Sequence, residues 1–213
     1  MRTDIHPVSV DLYFLPVTTR VPLKFGPETL TSVICARACM TVVDGRGNRA
    51  QGWGETPLSV QWVWPSSIGY QERCDAMLEM CRRLARSWAY FRTKGHPIEV
   101  GHDFERSELP DVLKDFNRKL RAGKEPMPWL AALVCCSVFD QALHDAYGQI
   151  LGAPVYETYD AKHMNVDLSY FLKPAPDTKV SFAGKYPVDF LRRPPAQRMP
   201  AWHLVGGKDL IDA

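Results

Sequence analysis

The stretch PWLAALVCCSVFDQALHDAYGQILGAPVY, residues 128–156, constrains the fold more than any other part of the chain. Its apolar residues recur at helical spacing, and its first half is apolar almost all round, which predicts one long helix at the centre of a core. Pro128 suits the first turn of that helix, and Gly152 followed by Pro154 marks its end. A few polar residues indicate a more solvent-exposed face of the helix: Asp140, Gln141, His144, Asp145 and Gln149.

Three strand patterns come before this helix. Residues 8–15 predict a first strand, which we expect to end at Pro16. Residues 31–43 alternate strictly between an apolar face and a mixed face, which predicts a strand that covers a core on one side. A turn with two glycines at 44–48 then returns the chain as a third strand over 49–56.

Two further helices are predicted between the third strand and the central helix. The first follows Ser66 or Ser67, ends before His96-Pro97, and carries an apolar stripe at helical spacing made of Met77, Met80, Cys81, Leu84, Trp88 and Phe91. The second spans about 110–120 and turns four apolar residues inward: Val112, Leu113, Phe116 and Leu120. Strands first and helices after, without βαβ alternation, predict an α+β fold in which a three-stranded antiparallel meander is followed by a helical bundle.

Composition and charge exclude several classes of function. The 213 residues carry 26 basic and 24 acidic side chains, and a net charge of +2 gives no reason to expect a nucleic acid or an anionic membrane as a partner. No apolar run reaches the roughly 18–20 residues that span a bilayer, and the first residues lack the apolar core of a signal peptide. We therefore expect a cytoplasmic protein. The six cysteines show no CxxC pairing, which predicts buried thiols rather than a zinc or redox site.

Two motifs carry a resemblance to a known family. The helix sequence ALHDAYG at 142–148, continued by LGAPVY at 151–156, resembles the central helix of the enolase superfamily in its mandelate racemase/muconate lactonizing enzyme branch. The segment Gly52-Trp53-Gly54-Glu55 is similar to that family's GWGE element at the end of the third strand. The resemblance implies that residues 1–159 form an N-terminal capping domain, with Tyr13, Met40 and Phe139 in one shared interior.

The sequence after residue 159 differs from the preceding part in composition and in hydrophobic pattern. From residue 160 on, prolines are frequent and the hydrophobic periodicity fades, which predicts an irregular tail over 160–213. Residues 164–172 and 202–205 are candidate edge strands within it. By the resemblance, this tail looks like a linker and the start of a truncated (β/α) barrel, because the family's barrel follows the capping domain and needs roughly 200 residues.

The chemistry implied by the resemblance is Mg²⁺-assisted proton abstraction next to a carboxylate, as in racemases, cycloisomerases and acid-sugar dehydratases. It requires three carboxylates on the metal and a lysine or histidine base. The sequence contains no Lys-x-Lys motif and no series of strands that end in acidic residues. We therefore assign no catalytic residue and no metal ligand, and we expect Mg²⁺ in the full-length family enzyme but none bound by this chain.

The resemblance does imply a substrate-facing part. In the family, the loops after the first and third strands close over the barrel mouth, and here these loops are about 16–30 and 56–66. Within them, Lys24 is the candidate for a contact with the carboxylate of a small substrate, and the candidate pocket walls are Phe25, Trp62 and Trp64. Such a site would be completed by a barrel domain, and association into a homo-oligomer stays open.

Other interpretations remain open at this point. Lys24 is also compatible with a surface lysine, the three aromatic residues with ordinary packing, and Glu55 with an ion pair to Arg37. The adjacent His144 and Asp145 point about 100° apart on a helix, so we do not expect a dyad. Gly206-Gly207-Lys208 reads as a turn and not a phosphate loop.

Two alternative functions compete with the capping domain. One is a free-standing α+β module for binding or dimerisation, which the lack of a complete catalytic set and the tryptophans of the second loop favour. The other is a small complete enzyme that uses Lys24 or a histidine as its base.

Overall fold

Three antiparallel strands open the structure, a computed structural model that describes residues 3–25 and 28–202. The strands are β1 (Ile5–Phe25), β2 (Glu28–Asp44) and β3 (Arg49–Pro57), and they lie side by side in the order β1-β2-β3. The turn between β2 and β3 is closed by Asp44, whose carboxylate accepts hydrogen bonds from the backbone amides of Arg46 and Asn48. The predicted meander is confirmed.

Helices follow the sheet and complete the α+β architecture. In chain order they are α1 (Val60–Val63), α2 (Tyr70–Tyr90), α3 (Pro97–Leu120), α4 (Trp129–Leu151) and the single turn α5 (Leu168–Phe171), with short 3-10 turns at Val155–Glu157 and Pro187–Phe190. None of the helices in the described ranges has both the length and the apolar character that a bilayer-spanning segment needs.

The central helix α4 packs against strands β2 and β3 and against helices α2 and α3, while α2 also packs directly on β1. Its Phe139 is fully buried, as is Met40 on the facing side of β2. It begins after Pro128 and ends at Gly152, whose positive φ of 63° suits a helix C-terminus. The apolar stripe predicted for α2 is buried, and all six cysteines are free, buried thiols. Burial raises the pKa of Cys136 to about 12, so this thiol stays protonated at neutral pH.

Strand β3 lies directly on α4, and its two glycines make this approach feasible. A Cβ on Gly52 would fall 2.0 Å from the backbone nitrogen of Ala146, and one on Gly54 would fall 2.1 Å from the carbonyl oxygen of Val138. Because no side chain at these positions can avoid the helix backbone, the glycines of the GWGE segment are required by packing. The small residues Ala142 and Ala146 form the helix side of the same contact.

Polar side chains of α4 also accept hydrogen bonds from backbone amides on the free edge of β3. The backbone amide of Trp53 donates to Asp145 Oδ2 at 2.8 Å, and that of Glu55 donates to Gln141 Oε1 at 3.3 Å. The spacings match, because four residues of helix rise about 6 Å and two residues of strand rise about 6.6 Å. The two motifs that carried the resemblance are therefore the two sides of one contact.

The first strand differs from the prediction, because it does not end at Pro16. β1 continues to Phe25 and pairs with β2 as far as Glu28, so most of the segment predicted as a loop over 16–30 is a two-stranded ribbon. Pro16 is tolerated because β1 is an edge strand, where a missing N–H costs no ladder hydrogen bond. The register is irregular between Thr18 and Leu23, where β1 has extra residues relative to β2.

The middle helix also begins earlier than predicted. α3 starts at Pro97, and His96 caps it by accepting the amide of Ile98 at 3.3 Å. The His96-Pro97 pair therefore begins a helix as well as marking the end of the previous one, since proline is favoured in a first turn. Pro110 lies inside α3 on the exposed side, and Leu120 is exposed instead of inward.

Two smaller predictions are wrong. Tyr13 does not share the interior of Met40 and Phe139; it lies on the outer face of the sheet and stacks on Trp53 at a centroid distance of 6.1 Å. Its neighbours Leu12 and Phe14 face the core instead. The predicted edge strand over 164–172 is irregular apart from the turn α5, which Asp167 caps through the amide of Ser169. Most of the 202–205 segment and all of 206–208 lie outside the described residues.

The segment that follows α4 packs back onto the helices. Met164 is fully buried, and Glu99 at the start of α3 accepts hydrogen bonds from the backbone amides of Asn165 and Val166. His96 Nε2 lies 3.1 Å from Thr158 Oγ1, which ties the segment to the same helix start. The domain boundary expected at 159/160 stays a prediction.

Candidate functional site

Both segments that the sequence analysis assigned to substrate recognition leave the sheet at the same end. Leu15, Cys35 and Pro57 stand opposite one another in neighbouring strands. Beyond that level β1 and β2 continue alone as a ribbon of residues 16–25 and 28–34, which we call the arm. At about 3.3 Å per residue, the β2 side of the arm extends roughly 20 Å past the sheet. The chain after Pro57 forms the second segment, residues 58–64, which contains α1.

Lys24 and Phe25 lie at the far end of the arm. Lys24 is exposed and stands opposite Thr29 in the strand register, and Phe25 stands opposite Glu28. The nearby apolar side chains Val21 and Leu23 are also exposed. The arm therefore presents one lysine and several apolar side chains away from the core.

The two tryptophans of the 58–64 segment have different environments. Trp62 is 53% exposed, whereas Trp64 is 1% exposed. The indole N–H of Trp64 donates to Glu125 Oε1 at 2.7 Å, and the guanidinium of Arg121 lies 5.2 Å from the centre of its ring. These contacts attach the segment to the loop between α3 and α4. A pocket wall has to be accessible, so Trp62 is the tryptophan of this segment that can meet a ligand in this structure.

The two segments that contain the four predicted residues leave the sheet at the same end. No hydrogen bond, ion pair or ring contact joins Lys24 to Trp62 among the residues described. Their assignment to a substrate site stays a prediction. Glu55 pairs with Arg37 across the strands, with Arg37 Nε 2.6 Å from Glu55 Oε2, as the alternative interpretation expected.

The polar residues of α4 do not form a catalytic pair. Asp145 accepts the amide of Trp53, and His144 Nδ1 lies 3.3 Å from the hydroxyl of Tyr159, so the two residues serve different contacts. Burial lowers the pKa of His144, which keeps its imidazole neutral at pH 7. Its other ring nitrogen faces Asp140, one helical turn earlier, at 3.9 Å. This i, i+4 pair was visible in the sequence, but its importance depends on the cavity described below.

The described residues do not fit a magnesium site. Within residues 3–25 and 28–202, no group of three or more His, Cys, Asp or Glu side chains is arranged to hold a metal ion. Three converging carboxylates are what the proton-abstraction chemistry implied by the resemblance requires. No step of a reaction can therefore be derived through a metal on these residues.

Comparison of the sequence with protein-family models and with curated proteins gives no match. Among solved structures, the chain is similar to an enolase from Bradyrhizobium complexed with magnesium and mandelic acid, at 18% identity and a TM-score of 0.39, over 74% of this chain and 35% of that one. It is also similar to the L-Ala-D/L-Glu epimerase from Bacillus subtilis, at 15% identity and a TM-score of 0.41, over 73% of this chain and 34% of that one.

A third similar structure is a mandelate racemase/muconate lactonizing enzyme-like protein from Rubrobacter xylanophilus, at 16% identity and a TM-score of 0.35, over 71% of this chain and 33% of that one. The chain thus spans about a third of the length of these proteins. At such identities and TM-scores the likeness says nothing about the chemistry of this chain. The solved structures to which the chain is similar are enolase-superfamily proteins, the family that its two motifs resemble.

Proposed function

We propose that this domain is the capping domain of an enolase-superfamily type of enzyme, in which it helps to recognise a small carboxylate substrate. The observation that carries the proposal is the common origin of the arm and the 58–64 segment, which leave the sheet at the level of Leu15, Cys35 and Pro57. The resemblance of the GWGE and ALHDAYG motifs supports it. The groups that perform the chemistry would come from a (β/α) barrel outside the described residues.

The reaction class is taken from the resemblance. It is proton abstraction from the carbon next to a carboxylate, with Mg²⁺ stabilising the resulting enediolate, and it includes racemases, cycloisomerases and acid-sugar dehydratases. Similar solved structures are described as complexes with magnesium and mandelic acid, with Mg and a dipeptide, and with Mg and L-glucarate. These three ligands are carboxylates of different shapes, so together they make a suitable panel of substrates for this protein.

Lys24 and Trp62 have the roles in this proposal that their exposure and chemistry allow. The Lys24 ammonium is a positive charge at the end of the arm, suited to a carboxylate. Trp62 offers a half-exposed aromatic surface in the second segment. When both segments close over a substrate, they exclude water and strengthen the attraction between the ammonium and the carboxylate. The role of Phe25 is proposed from its position beside Lys24 alone.

A second candidate function, a module for dimerisation, is favoured by the arm itself. A two-stranded ribbon is marginally stable in water unless another surface covers it. Val17, Val21 and Leu23 of the arm are exposed apolar side chains, so some other surface is needed to bury them. In the capping function this surface belongs to the barrel; in the alternative it belongs to a second copy of the chain. Light scattering between micromolar and millimolar concentration distinguishes the two, because only the alternative gives a stable dimer of the isolated chain.

The experiment that tests the capping function uses the protein as its cells make it, affinity-purified so that any chain with the reactive groups is retained. We expect Mg²⁺-dependent exchange of the proton next to the carboxylate in D₂O for at least one member of the panel of mandelate, a dipeptide and glucarate, measured by NMR. Lys24→Ala should raise KM about tenfold or more at nearly constant kcat, as expected for one lost charge-assisted contact.

The matched control is Lys162→Ala, because Lys162 is exposed and lies outside both segments. This variant should have the KM of the unchanged protein. A Lys24→Ala variant that behaves like the control, or a protein that exchanges no member of the panel, would contradict the proposal. A cytoplasmic location and the lack of a nucleic-acid or membrane partner stay predictions.

A further inference from the structure

A cavity of about 540 Å³ opens between α3, α4 and the turn α5, away from the arm and the 58–64 segment. Its size lies within the range of small-molecule sites, roughly 300–1,000 Å³. Its walls are mainly apolar and include Trp88, Ile98, Leu133, Leu168 and Phe171. Its polar groups come from α3 and α4, and they include Glu105, Asp140 and His144.

Asp140 is recessed in this cavity yet accessible to a ligand. Its side chain exposes 48% of its surface, but the surrounding protein raises its pKa above the usual value through desolvation. Both observations are expected of a carboxylate in a concave site, which is surrounded by protein atoms and still touches solvent. Among the residues described, none donates a hydrogen bond to this carboxylate, and Oδ1 lies 3.9 Å from His144 Nε2.

His144 does not neutralise Asp140. Burial is the main cause that lowers the pKa of His144, so the imidazole is neutral near pH 7. The contact between Nδ1 and the hydroxyl of Tyr159 fixes the ring so that Nε2 faces Asp140 and the cavity. Nε2 is buried and makes no hydrogen bond to any residue in the described part of the chain. The Asp140 carboxylate and His144 Nε2 thus lie at the same wall of the cavity, and both have capacity for a further hydrogen bond.

The charged side chains that line the cavity favour a positively charged ligand. Two carboxylates, Glu105 and Asp140, line it, and within the described residues no lysine or arginine does. The proximity of Glu105 further raises the pKa of Asp140, which means that the two negative charges repel each other. A cation between them would relieve this repulsion, whereas an anion would add to it. Phe171, which also lines the cavity, supplies an aromatic surface, and this favours cations as well.

We propose that this cavity binds a small organic monocation, an ammonium group attached to an apolar or aromatic body. The ammonium would lie against Asp140 and Glu105, and the apolar part would pack on Ile98, Leu133 and Phe171. The largely apolar walls argue for an organic cation over a bare metal ion, which prefers a shell of oxygen ligands. This site is separate from the proposed carboxylate site, and it takes a ligand of the opposite charge.

The test measures binding of three probes of similar shape to the full chain by calorimetry: phenethylamine, phenethyl alcohol and 3-phenylpropionate. We expect saturable binding of phenethylamine, at least tenfold weaker binding of the alcohol, and no binding of the carboxylate. The alcohol keeps the aromatic body and loses the charge, so this comparison isolates the contribution of the ammonium group. Equal affinity for the amine and the alcohol, or no saturable binding of the amine, would overturn the proposal.

Two isosteric variants locate the binding. Asp140→Asn should weaken phenethylamine at least about tenfold, because it removes the charge that faces the cavity and keeps the shape. Asp75→Asn is the matched control, because it removes one negative charge just as Asp140→Asn does. Asp75 is an exposed aspartate on α2 that accepts a hydrogen bond from Gln71 at 2.9 Å. If both variants bind the amine equally well, the cavity is not the site.

Discussion

The backbone amide of Trp53 donates to the carboxylate of Asp145 at 2.8 Å, which joins the edge strand of the sheet to the central helix. The contact recurs two strand residues and four helix residues away, where Glu55 donates to Gln141. Gly52 before Trp53 and Gly54 between Trp53 and Glu55 both lie against the helix backbone itself. This matched spacing explains why the two motifs occur together in one chain.

The first prediction concerns this contact. Gly54→Ala should destabilise the domain by about 3 kcal/mol or more, because its Cβ would overlap backbone atoms of α4 that cannot move independently. The control is Gly45→Ala in the β2–β3 turn, where a Cβ meets nothing within 4 Å. Urea unfolding followed by circular dichroism measures both. Equal stability of the two variants would show that β3 does not lie on α4 as described.

A second prediction separates the hydrogen bond from the packing. Asp145→Ala should cost about 1–2 kcal/mol, because the Trp53 amide loses a charged acceptor at a partly solvated edge. Asp145→Asn keeps an acceptor oxygen and should cost less than half as much. The same urea titration gives both values. If alanine and asparagine have the same effect, the carboxylate does not serve as the partner of this amide.

The two tryptophans of the 58–64 segment give a third prediction. Trp64→Ala should cost about 3–5 kcal/mol, because it empties a fully buried site. Trp62→Ala should change the free energy of unfolding by less than about 1 kcal/mol, because Trp62 is half exposed. Thermal or urea unfolding of the pair checks this. A larger loss for Trp62 would reverse the assignment of core and surface roles.

The fourth prediction is a pH dependence that arises at His96. His96 is buried and neutral, its Nδ1 accepts the amide of Ile98, and burial is the main cause that lowers its pKa from 6.5 to about 3. Because the folded-state pKa lies below the unfolded value, the unfolded state binds more protons as the pH falls from 6.5 towards 3. The stability that His96 contributes is therefore complete above pH 6.5 and decreases below it, by about 2 kcal/mol between pH 7 and pH 5.

The control for this prediction is His96→Asn, which keeps a capping acceptor and cannot titrate in this range. Its free energy of unfolding should fall about 2 kcal/mol less than that of the unchanged protein between pH 7 and pH 5. Parallel pH profiles for the two proteins would mean that the pKa of His96 is not lowered in the folded state.

A fifth prediction concerns the independence of the arm. Replacing residues 18–32 by an Asn-Gly turn should change the free energy of unfolding by less than about 1 kcal/mol, because most of the exposed arm lies outside the buried core. Loss of cooperative unfolding in this variant would show that the arm is part of the core.

Much of the architecture could be predicted because buried apolar residues recur in the sequence with the period of the strand or helix to which they belong. Strict alternation located β2, and the helical spacing of apolar residues located α2 and α4, where tertiary packing and local pattern agree. The arm could not be found in this way. Its pairing is between segments that bury little apolar surface, and Pro16 is typical of the end of a strand although an edge strand tolerates it.

The proposed carboxylate site and the Asp140 cavity also differ in how far the sequence could predict them. Lys24 and Trp62 could be proposed from the positions of their segments relative to the strands, although the sequence did not distinguish exposed Trp62 from buried Trp64. The cavity at Asp140 depends on α3 and α5, and α3 begins thirteen residues before the position that Pro110 suggested. The start at Pro97 was missed because the His96-Pro97 pair was interpreted only as the end of a helix.

The most direct test of the account uses the isolated 213-residue chain in D₂O with Mg²⁺ and the panel of mandelate, a dipeptide and glucarate. The account predicts that the proton next to the carboxylate exchanges no faster than in buffer, because the described residues bring no metal-binding cluster together and the chemistry is assigned to a barrel outside them. Sustained, Mg²⁺-dependent exchange by the chain alone would contradict it, because the reacting groups would then lie within these residues.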